Sequence, residues 1–425
     1  MARRILDDRI ELEDFVFSEL GTGNIESNSF TLLADDYNSQ CLNPGYGSTY
    51  TLAVVGINQQ TGNTEMVAYT AGGATYTPAA WPDGYYKIEI RQYLTSGGTA
   101  LSHIVGPGEY TNCHTKTMYW NKSPLRCMVY VAPGSFMMGS PVGEYGRVTT
   151  GWSKELLHKV TLSKGMYVQR TQLTIQEFGL LMAKIDGSVI HRYSGGYIGN
   201  GTLTAANYYN TTSLTLTVSH MPMQQLSWQD IMWDPDAYGA GYPYDITNSY
   251  YHTGGKCLIS RLNSGDVSGF SISGYSWNLP TEAMWEYAAR AGVGTALPSG
   301  QNLNYPTSLE GGSDDTLQPN LNRVGWYKGN AGVLKTVGLK MPNRWGLFDV
   351  VGNQWERCQD LSGASYPKTP VENPANLNYT STGPRVLRGG SYGITARYCR
   401  CGHRNAGSGS FRSNYYGSRL CLLQL

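Results

Sequence analysis

Alternation of apolar and polar positions is the main pattern in the first part of the chain, and it predicts β-strands. The segments that alternate, or that are rich in β-branched and aromatic residues, are Ser27–Leu33, Thr49–Ile57, Glu65–Thr70 and Tyr85–Tyr93. Turn sequences separate them, such as Thr61-Gly62-Asn63. Because no sustained helical period interrupts this pattern, residues 1–124 are predicted to form an N-terminal β-sandwich-like domain, for example an immunoglobulin-like one.

The pattern changes from residue 125 onward, where helical spacing appears. Thr174-Ile-Gln-Glu177 has the spacing of a capping box and precedes apolar residues. A second helix is predicted to begin at Thr281 and to end at Gly292. Residues 125–425 are therefore predicted to form an α+β domain. Two stretches rich in Gly, Tyr, Asn and Thr predict loops with irregular strands: Asp186–Ser219 and Asp234–Lys256.

Composition favours a folded, loop-rich protein with more than one domain. The chain has 425 residues, of which 52 are Gly and 32 are Tyr, and disordered chains rarely carry so many aromatic residues. A net charge of +1 gives no reason to expect nucleic acid or an anionic membrane as a partner. The N-terminus has acidic residues where a signal peptide needs an apolar run, and membrane insertion is not expected.

The eight cysteines are scattered and lack the paired spacing of a zinc site. Free buried thiols are therefore expected rather than a disulfide framework. The seven histidines show no close pairing, so a histidine metal site is not expected either.

The segment from Arg385 to Leu425 has an unusual composition. Tyr, Ser, Gly and Asn alternate with Arg, a mixture typical of antibody-like contact surfaces. Lys, Glu, Gln, Met and Trp are absent from Ser391 to Cys421. Those residues cannot arise when the adenines of an Asn codon that ends in a pyrimidine are randomised. A solvated Gly-rich loop is the alternative. Regularly placed Arg and a closing Arg-Leu-Cys-Leu-Leu strand favour an ordered segment that returns to the core.

A series of motifs runs in order through the second domain: Pro133-Gly-Ser-Phe-Met-Met-Gly-Ser-Pro141, His158-Lys-Val-Thr-Leu162, Leu226-Ser-Trp-Gln-Asp230, Leu279-Pro-Thr-Glu-Ala-Met-Trp-Glu-Tyr-Ala-Ala-Arg-Ala-Gly292, Pro342-Asn-Arg-Trp-Gly-Leu-Phe-Asp349, Gly352-Asn-Gln-Trp-Glu356 and Arg385-Val-Leu-Arg-Gly-Gly-Ser391. With these motifs the domain resembles the formylglycine-generating-enzyme family, a variant of the C-type lectin fold. Within this resemblance, Trp285, Trp345 and Trp355 are predicted core aromatics. Glu286 and Glu356 are predicted to pair with buried backbone groups or with Arg.

The enzymes of this family hold copper between two cysteines after the Gly-Gly-Ser turn. The second cysteine corresponds to Cys399, but the first falls at Ile394, which cannot ligate a metal. Cys401 could supply a sulfur only at the wrong place, and Cys399 is predicted to be a small buried apolar residue. We therefore expect no enzyme activity and no cofactor. Asn353 lies in a motif whose neighbourhood binds calcium in some relatives, so a structural calcium ion stays an alternative.

The C-terminal pattern is more similar to the variable proteins of diversity-generating retroelements. Their hypervariable region follows the Arg-Val-Leu-Arg-Gly-Gly-Ser motif, which implies a variable region over about 385–421 here. The matches to the invariant frame are Arg388-Gly-Gly-Ser391, Ala396-Arg397, Cys399-Arg400, Arg404, Arg412 and Arg419-Leu420. The resemblance implies ligand binding by the residues in the gaps: Tyr392, Gly393, Ile394, Thr395, Tyr398, Gly402, His403, Asn405, Ala406, Ser408, Ser410, Phe411, Ser413, Asn414, Tyr415 and Tyr416. Gly407, Gly409 and Ser418 are of the same residue types and also lie in or beside the gaps. Ser418 is a weaker candidate for ligand binding.

The resemblance implies a non-enzymatic receptor-binding protein, such as a phage tail or fibre protein in the virion. A bacterial cell-surface protein is the nearest variant. The expected partners are a protein or glycan receptor on a cell surface, further copies of the chain in a homo-oligomer, with a trimer favoured, and other virion proteins bound through the N-terminal domain. Two other classes stay open: a copper oxidase of the formylglycine-generating type and a glycan-binding module with a fixed surface. Binding of copper would identify the oxidase. A sequence that does not vary across a population would identify the glycan-binding module with a fixed surface.

Overall fold

The computed structural model describes residues 30–31, 50–70, 74–95, 101–104, 118–123, 125, 127–182, 221–232, 256–267, 270–304, 318–378 and 383–425. Contacts divide these residues into two compact units, which we call the N-terminal unit, Ile25–Tyr130, and the C-terminal unit, Val131–Leu425.

The N-terminal unit is built on antiparallel strands. β2 pairs with β3 on one side and with β5 on the other, while β6 and β7 both pair with β5. Gly62, with φ 75°, makes the predicted turn between β2 and β3. The strands are β1 (Phe30–Thr31), β2 (Tyr50–Asn58), β3 (Thr64–Ala68), β4 (Thr75–Tyr76), β5 (Gly84–Thr95), β6 (Leu101–Ile104) and β7 (Met118–Lys122).

Three aromatic residues pack on this sheet. The rings of Trp81, Tyr86 and Trp120 have centroids 5.3 to 5.9 Å apart. A side chain at Gly56 would collide with the Trp81 ring, since a Cβ there would lie 2.1 Å from it. The predicted strands are confirmed where the structure describes them. β1 pairs antiparallel with β4 in a separate two-stranded sheet, but a sandwich is not confirmed. The sandwich and the boundary at residue 124 stay predictions.

The C-terminal unit consists mostly of short strands with a few short helices. β8 (Met128–Val131) spans the boundary between the units. The remaining elements are β9 (Gly134–Met138), β10 (His158–Leu162), β11 (Met166–Gln169), α1 (Ile175–Leu181), α2 (Trp228–Met232), α3 (Leu258–Asn263), β12 (Tyr275–Asn278), α4 (Glu282–Arg290), α5 (Pro319–Val324), β13 (Gly325–Trp326), β14 (Val351–Gly352), β15 (Trp355–Leu361), β16 (Val371–Glu372), β17 (Arg385–Arg388), β18 (Asn405–Gly407), β19 (Tyr416–Gly417) and β20 (Cys421–Gln424).

Both predicted helices begin where their caps predicted. Thr174 Oγ1 accepts a hydrogen bond from Glu177 N–H, and Glu177 Oε2 accepts one from Thr174 N–H, which completes the capping box of α1. Thr281 caps α4. Helix α4 ends at Arg290 with Ala291 as its C-cap, and Gly292 follows in the left-handed conformation of a capping glycine, with φ 83°. Between the helices, the predicted loops lie outside the described residues, apart from Lys256 at the end of the second loop.

The last strand closes the C-terminal unit, as its sequence predicted. β20 pairs antiparallel with β11 on one side and with β12 on the other. A second sheet has the strand order β18-β17-β15-β19. Within the described ranges, no helix is long and apolar enough to cross a membrane.

Candidate functional site

The segment with the unusual composition begins and ends beside the same strand. β15 pairs antiparallel with β17 and parallel with β19, and β17 pairs with β18. Trp355 N–H donates to the carbonyl oxygen of Tyr415 at 2.8 Å, and Gln354 Nε2 donates to that of Asn414 at 3.1 Å. Both ends of the segment are therefore hydrogen-bonded to β15, and the turns between them connect strands of one sheet.

Buried arginines hold this segment to the rest of the C-terminal unit. Arg400 forms a bidentate ion pair with Glu155, with N···O distances of 2.7 and 2.8 Å. Arg404 forms another with Glu282, at 2.6 and 2.7 Å, in which the carboxylate lies in helix α4. Bidentate pairs of this kind fix orientation as well as distance. We call the following residues the arginine frame: Arg385, Arg388, Arg400, Arg404, Arg412 and Arg419.

The C-terminal end of the segment is held in the same way. Arg419 forms a bidentate pair with Glu356, at 2.9 and 3.0 Å, and the predicted pairing of Glu356 is thereby confirmed. Arg412 is half-buried and forms a bidentate pair with Asp230, at 2.7 and 2.9 Å. Its carboxylate partner lies in helix α2, which the sequence did not predict, although Ser227 and Asp230 have capping-box spacing.

The first two arginines of the frame are wholly buried. Arg388 donates to the Glu286 carboxylate and to the carbonyl oxygens of Cys401 and His403, both at 2.7 Å. Arg385 donates to the carbonyl oxygens of Gln359 and Asn378, at 3.1 and 2.7 Å, and its guanidinium carbon lies 3.9 Å from the Trp228 ring centroid. The predicted pairing of Glu286 is confirmed, as is the burial of Trp285, Trp345 and Trp355.

At the carboxylates that pair with the arginine frame, the neighbouring positive charges affect the pKa more than burial does. Burial would raise the pKa of Glu282, but the positive charges of Arg404 and Arg388 outweigh it and lower the pKa. At Glu155 burial also acts to raise the pKa, and the contacts with His403 and Arg400 lower it to about 2. Both carboxylates therefore stay ionised near neutral pH, and the ion pairs persist.

His403 and Gly402 lie inside the protein, which corrects their prediction as displayed residues. Only 4% of His403 is exposed. Its ring packs against Trp355 and Tyr398, and Nδ1 lies 3.3 Å from Glu155 Oε1. A Cβ at Gly402 would lie 2.3 Å from Ser140 Oγ. Gly409 and Ser418 are buried too. These contacts come from residues distant in sequence, so composition could not reveal them.

Acidification is expected to remove the stability that a neutral, buried His403 contributes. Burial lowers the pKa of this ring to about 4, from an ordinary value of 6.5. The unfolded chain therefore binds a proton first as the pH falls, and stability is lost from pH 6.5 downward. Linkage gives about 2 kcal/mol lost at pH 5 relative to pH 7. Chemical denaturation of wild type and His403→Gln at both pH values measures it.

The control is internal to that comparison. Burial raises the pKa of Asp360 and of Asp349 to about 6, which opposes the histidine effect over the same range, and both carboxyls are common to the two proteins. The stability difference between the two proteins should therefore shrink on acidification. Equal pH dependence of wild type and variant would contradict the expectation.

The other predicted binding residues reach the surface at least partly. Phe411 and Tyr415 are 53% and 46% exposed, which is high for large aromatic side chains. Ser408 and Ser410 are exposed, and the rest are half-buried. We call the following residues the display face: Tyr392, Gly393, Ile394, Thr395, Tyr398, Asn405, Ala406, Ser408, Ser410, Phe411, Ser413, Asn414, Tyr415 and Tyr416.

Aromatic contacts bring the two ends of the display face together. The rings of Tyr392 and Tyr415 lie 5.0 Å apart, and those of Phe411 and Tyr416 lie 5.8 Å apart. Gly393 fits beneath Tyr415, because a Cβ there would lie 2.4 Å from that ring. Residues from the beginning and the end of the segment therefore share one aromatic patch. Tyr398 contacts Arg397 and His403 instead.

Two residues that support this patch were not identified from the sequence. Arg357 is wholly buried, and its guanidinium donates to the carbonyl oxygens of Leu226 and Phe411. Gln225 has a left-handed backbone, with φ 58°, and its N–H donates to the carbonyl oxygen of Ser413. Both are adjacent to or within motifs of the family resemblance, but the motifs alone do not show which loop they hold.

The cysteines of the segment are buried, as predicted for Cys399. Cys399 and Cys401 are both 0% exposed, and burial raises the pKa of each thiol to about 12. Cys399 follows a short 3₁₀ turn, Ala396–Tyr398. Ile394 is half-buried, and its carbonyl oxygen accepts a hydrogen bond from Lys328 N–H.

The amide of Asn353, the weak calcium candidate, is engaged with the backbone. Its Oδ1 accepts from Lys335 N–H at 3.1 Å, and its Nδ2 donates to the carbonyl oxygen of Lys335 at 3.0 Å. Asn353 has φ 59°, a left-handed conformation that Asn tolerates well. In the part of the chain that the structure describes, no three His, Cys, Asp or Glu side chains form a group suited to a metal ion.

Comparison with known proteins defines the class. The family model described as a sulfatase-modifying factor enzyme 1-like domain matches residues 115–422, and the chain belongs to this family. The mostly β structure with few helices fits a fold of the formylglycine-generating-enzyme type.

Particular relatives match more locally. The formylglycine-generating enzyme of Streptomyces coelicolor is 36% identical over 125 residues, which cover 28% of this chain and 38% of that protein. The serine/threonine-protein kinase pkn1 of Chlamydia pneumoniae is 32% identical over 158 residues, covering 36% of this chain and 23% of that protein. The chain thus spans well under half the length of these curated relatives. Among solved structures, Treponema denticola variable protein 1 is 20% identical, with a TM-score of 0.42 over 70% of this chain and 95% of that chain.

Proposed function

We propose that this protein is a non-enzymatic receptor-binding protein whose display face is diversified by a retroelement. The observation that carries the proposal is the separation of residues within 385–421. The cysteines and most of the arginine frame are buried, and the frame arginines have fixed partners, whereas the Tyr, Phe, Ser and Asn residues of the display face are exposed or half-buried. A frame of this kind lets surface side chains change without loss of the fold, which is what a diversified binding surface requires.

The proposed ligand is a protein or glycan receptor on a cell surface. Tyr and Phe supply large rigid contact areas, and Ser and Asn supply adaptable hydrogen bonds. The proposed setting is a phage tail or fibre, with the N-terminal unit bound to other virion proteins, or the surface of a bacterium. Non-catalytic membership of an enzyme family is consistent with Ile394, which removes one of the two thiols expected of the copper enzymes.

Sequencing this gene across a population tests the diversification directly. Differences should be confined to adenine-derived codon positions between Tyr392 and Ser418 and should spare the arginine frame. Differences spread evenly along the chain, or an invariant segment, would refute the proposal.

The alternative enzyme function makes an opposite prediction for copper. We expect no oxidation of a cysteine-containing peptide in the presence of copper, because Ile394 offers no thiol and burial raises the pKa of Cys399 to about 12. Mass spectrometry of the peptide measures turnover, with a family enzyme as positive control. Stoichiometric copper(I) binding together with peptide turnover would establish the oxidase instead.

We also propose that several copies act together. One display face with unoptimised contacts binds weakly, and linked copies raise the effective concentration. A closed homo-oligomer follows, with a trimer favoured over a dimer. Light scattering at micromolar concentration should show it, and a clean monomer would contradict it.

A further inference from the structure

A surface rich in positive charge borders the display face. From Gln318 to Phe348 the sequence contains five Lys and Arg residues and neither Asp nor Glu, in a chain whose net charge is only +1. Two of these positive charges, those of Lys335 and Lys340, lie over the indole ring of Trp326. We call the following residues the basic surface: Arg323, Trp326, Lys335, Lys340 and Met341.

Contacts within the basic surface show that its residues are neighbours. Lys340 Nζ lies 3.7 Å and Lys335 Nζ lies 5.7 Å from the centroid of the Trp326 ring. Met341 N–H donates to the carbonyl oxygen of Arg323 at 3.0 Å, and the Arg323 guanidinium contacts Met341 Sδ at 3.8 Å. Arg323 and Met341 are exposed, and the two lysines and Trp326 are half-buried.

The two lysines are close enough to repel each other. Burial and the charge of Lys335 together lower the pKa of Lys340 to about 8, against the attraction of Asp349. Asp349 is itself buried and accepts a hydrogen bond from Gly338 N–H, so it is not a surface counter-charge. Among the described residues, neither lysine forms an ion pair with a carboxylate. A bound anion would relieve the repulsion.

The same backbone supports the basic surface and the display face. Asn353 N–H donates to the carbonyl oxygen of Trp326 at 2.8 Å, and its carbonyl oxygen accepts from Tyr392 N–H at 2.9 Å. Its side-chain amide pairs with the backbone of Lys335. A ligand on Tyr392 therefore lies beside the cations, and only the display face belongs to the segment proposed to vary.

We propose that the basic surface is a fixed contact site for an acidic polysaccharide, beside which the display face selects among receptors. This inference rests on the proposed function. Ammonium and guanidinium groups pair with carboxylates or phosphates, and the Trp326 indole offers a flat apolar surface to a sugar ring. A protein partner would present charges of both signs, whereas this surface presents cations. Nucleic-acid-binding domains are commonly much more basic than this chain, whose pI is about 7.5.

The test measures binding of the full chain to polygalacturonate, a polymer of uronic acids, by biolayer interferometry. Neutral dextran and oligothymidylate are the comparison probes. Wild type should bind polygalacturonate, more weakly as salt is raised, and should not bind dextran. The variant Lys335→Gln/Lys340→Gln should bind at least about tenfold more weakly while still unfolding in one cooperative transition. The matched control Lys154→Gln/Lys159→Gln removes two exposed charges elsewhere and should bind like wild type.

Three results would overturn the inference: equal binding of dextran, tighter binding of oligothymidylate, or unchanged polygalacturonate binding by Lys335→Gln/Lys340→Gln. The two proposals fail separately. Phe411→Ser/Tyr415→Ser should keep polygalacturonate binding within about threefold, since the cations remain. If wild type does not bind polygalacturonate while the gene varies as proposed, the basic surface is not a site for acidic polysaccharides, and the proposed function is unaffected.

Discussion

Arg388→Met is expected to lower the free energy of unfolding by about 3–5 kcal/mol, the loss typical of a broken buried ion pair. The Arg388 side chain is wholly buried. Its removal leaves the Glu286 carboxylate with less positive charge, and the carbonyl oxygens of Cys401 and His403 lose a donor. Buried acceptors without partners cost free energy because water cannot replace the lost donor. Chemical denaturation and the yield of soluble protein measure the loss.

Arg397→Met is the matched control for that variant. Arg397 belongs to the same segment but is half-buried, and it stacks on Tyr398 with 4.5 Å between its guanidinium carbon and the ring centroid. Loss of such a cation–π contact costs about 0.5–1 kcal/mol. If Arg397→Met destabilises the protein as much as Arg388→Met does, the division between frame and display is incorrect.

Phe411→Ser/Tyr415→Ser is expected to weaken receptor binding by at least about 30-fold, since truncation of an aromatic anchor in an interface costs roughly 2 kcal/mol or more. Stability should change by about 1 kcal/mol at most, because each exposed substitution contributes about 0.5 kcal/mol. Affinity is measured against the strongest ligand found on glycan and protein arrays, and melting temperature is measured in parallel.

Val142→Ser/Leu377→Ser provides the control, since these side chains are 90% and 44% exposed and belong to other segments. That variant should bind like wild type. Wild-type affinity in Phe411→Ser/Tyr415→Ser, or unfolding of that variant, would show that these aromatic residues do not form a display surface.

Local rules predicted local structure well in this chain. Thr174 and Thr281 begin helices because their side chains cap the first turn, and Gly62 turns the chain because it can adopt positive φ. The alternation in Tyr50–Asn58 and Gly84–Thr95 is that of strands. The short helix α2 was missed, although its Ser227 and Asp230 make a reciprocal cap.

Long-range contacts determined what the sequence could not show. The composition of the C-terminal segment identified the exposed Phe411 and Tyr415 and the buried Arg388 and Arg419. It also placed His403 among the displayed residues, because burial beside Glu155 depends on a partner far away in the sequence. Side-chain type alone does not distinguish a histidine on a surface from one held between a carboxylate and two aromatic rings.

The most direct measurement is a tolerance scan of the segment in the full chain. At each position of the display face and of the arginine frame, the first two bases of the codon would be randomised and the third kept as a pyrimidine. The variants would be displayed on yeast, and those that resist protease would be identified by sequencing. We predict that exposed positions such as Ser408, Ser410, Phe411 and Tyr415 accept most residues, and that Arg388, Arg400, Arg404 and Arg419 accept almost none. Equal intolerance at the two sets of positions would contradict the account, because the segment would then be ordinary protein core.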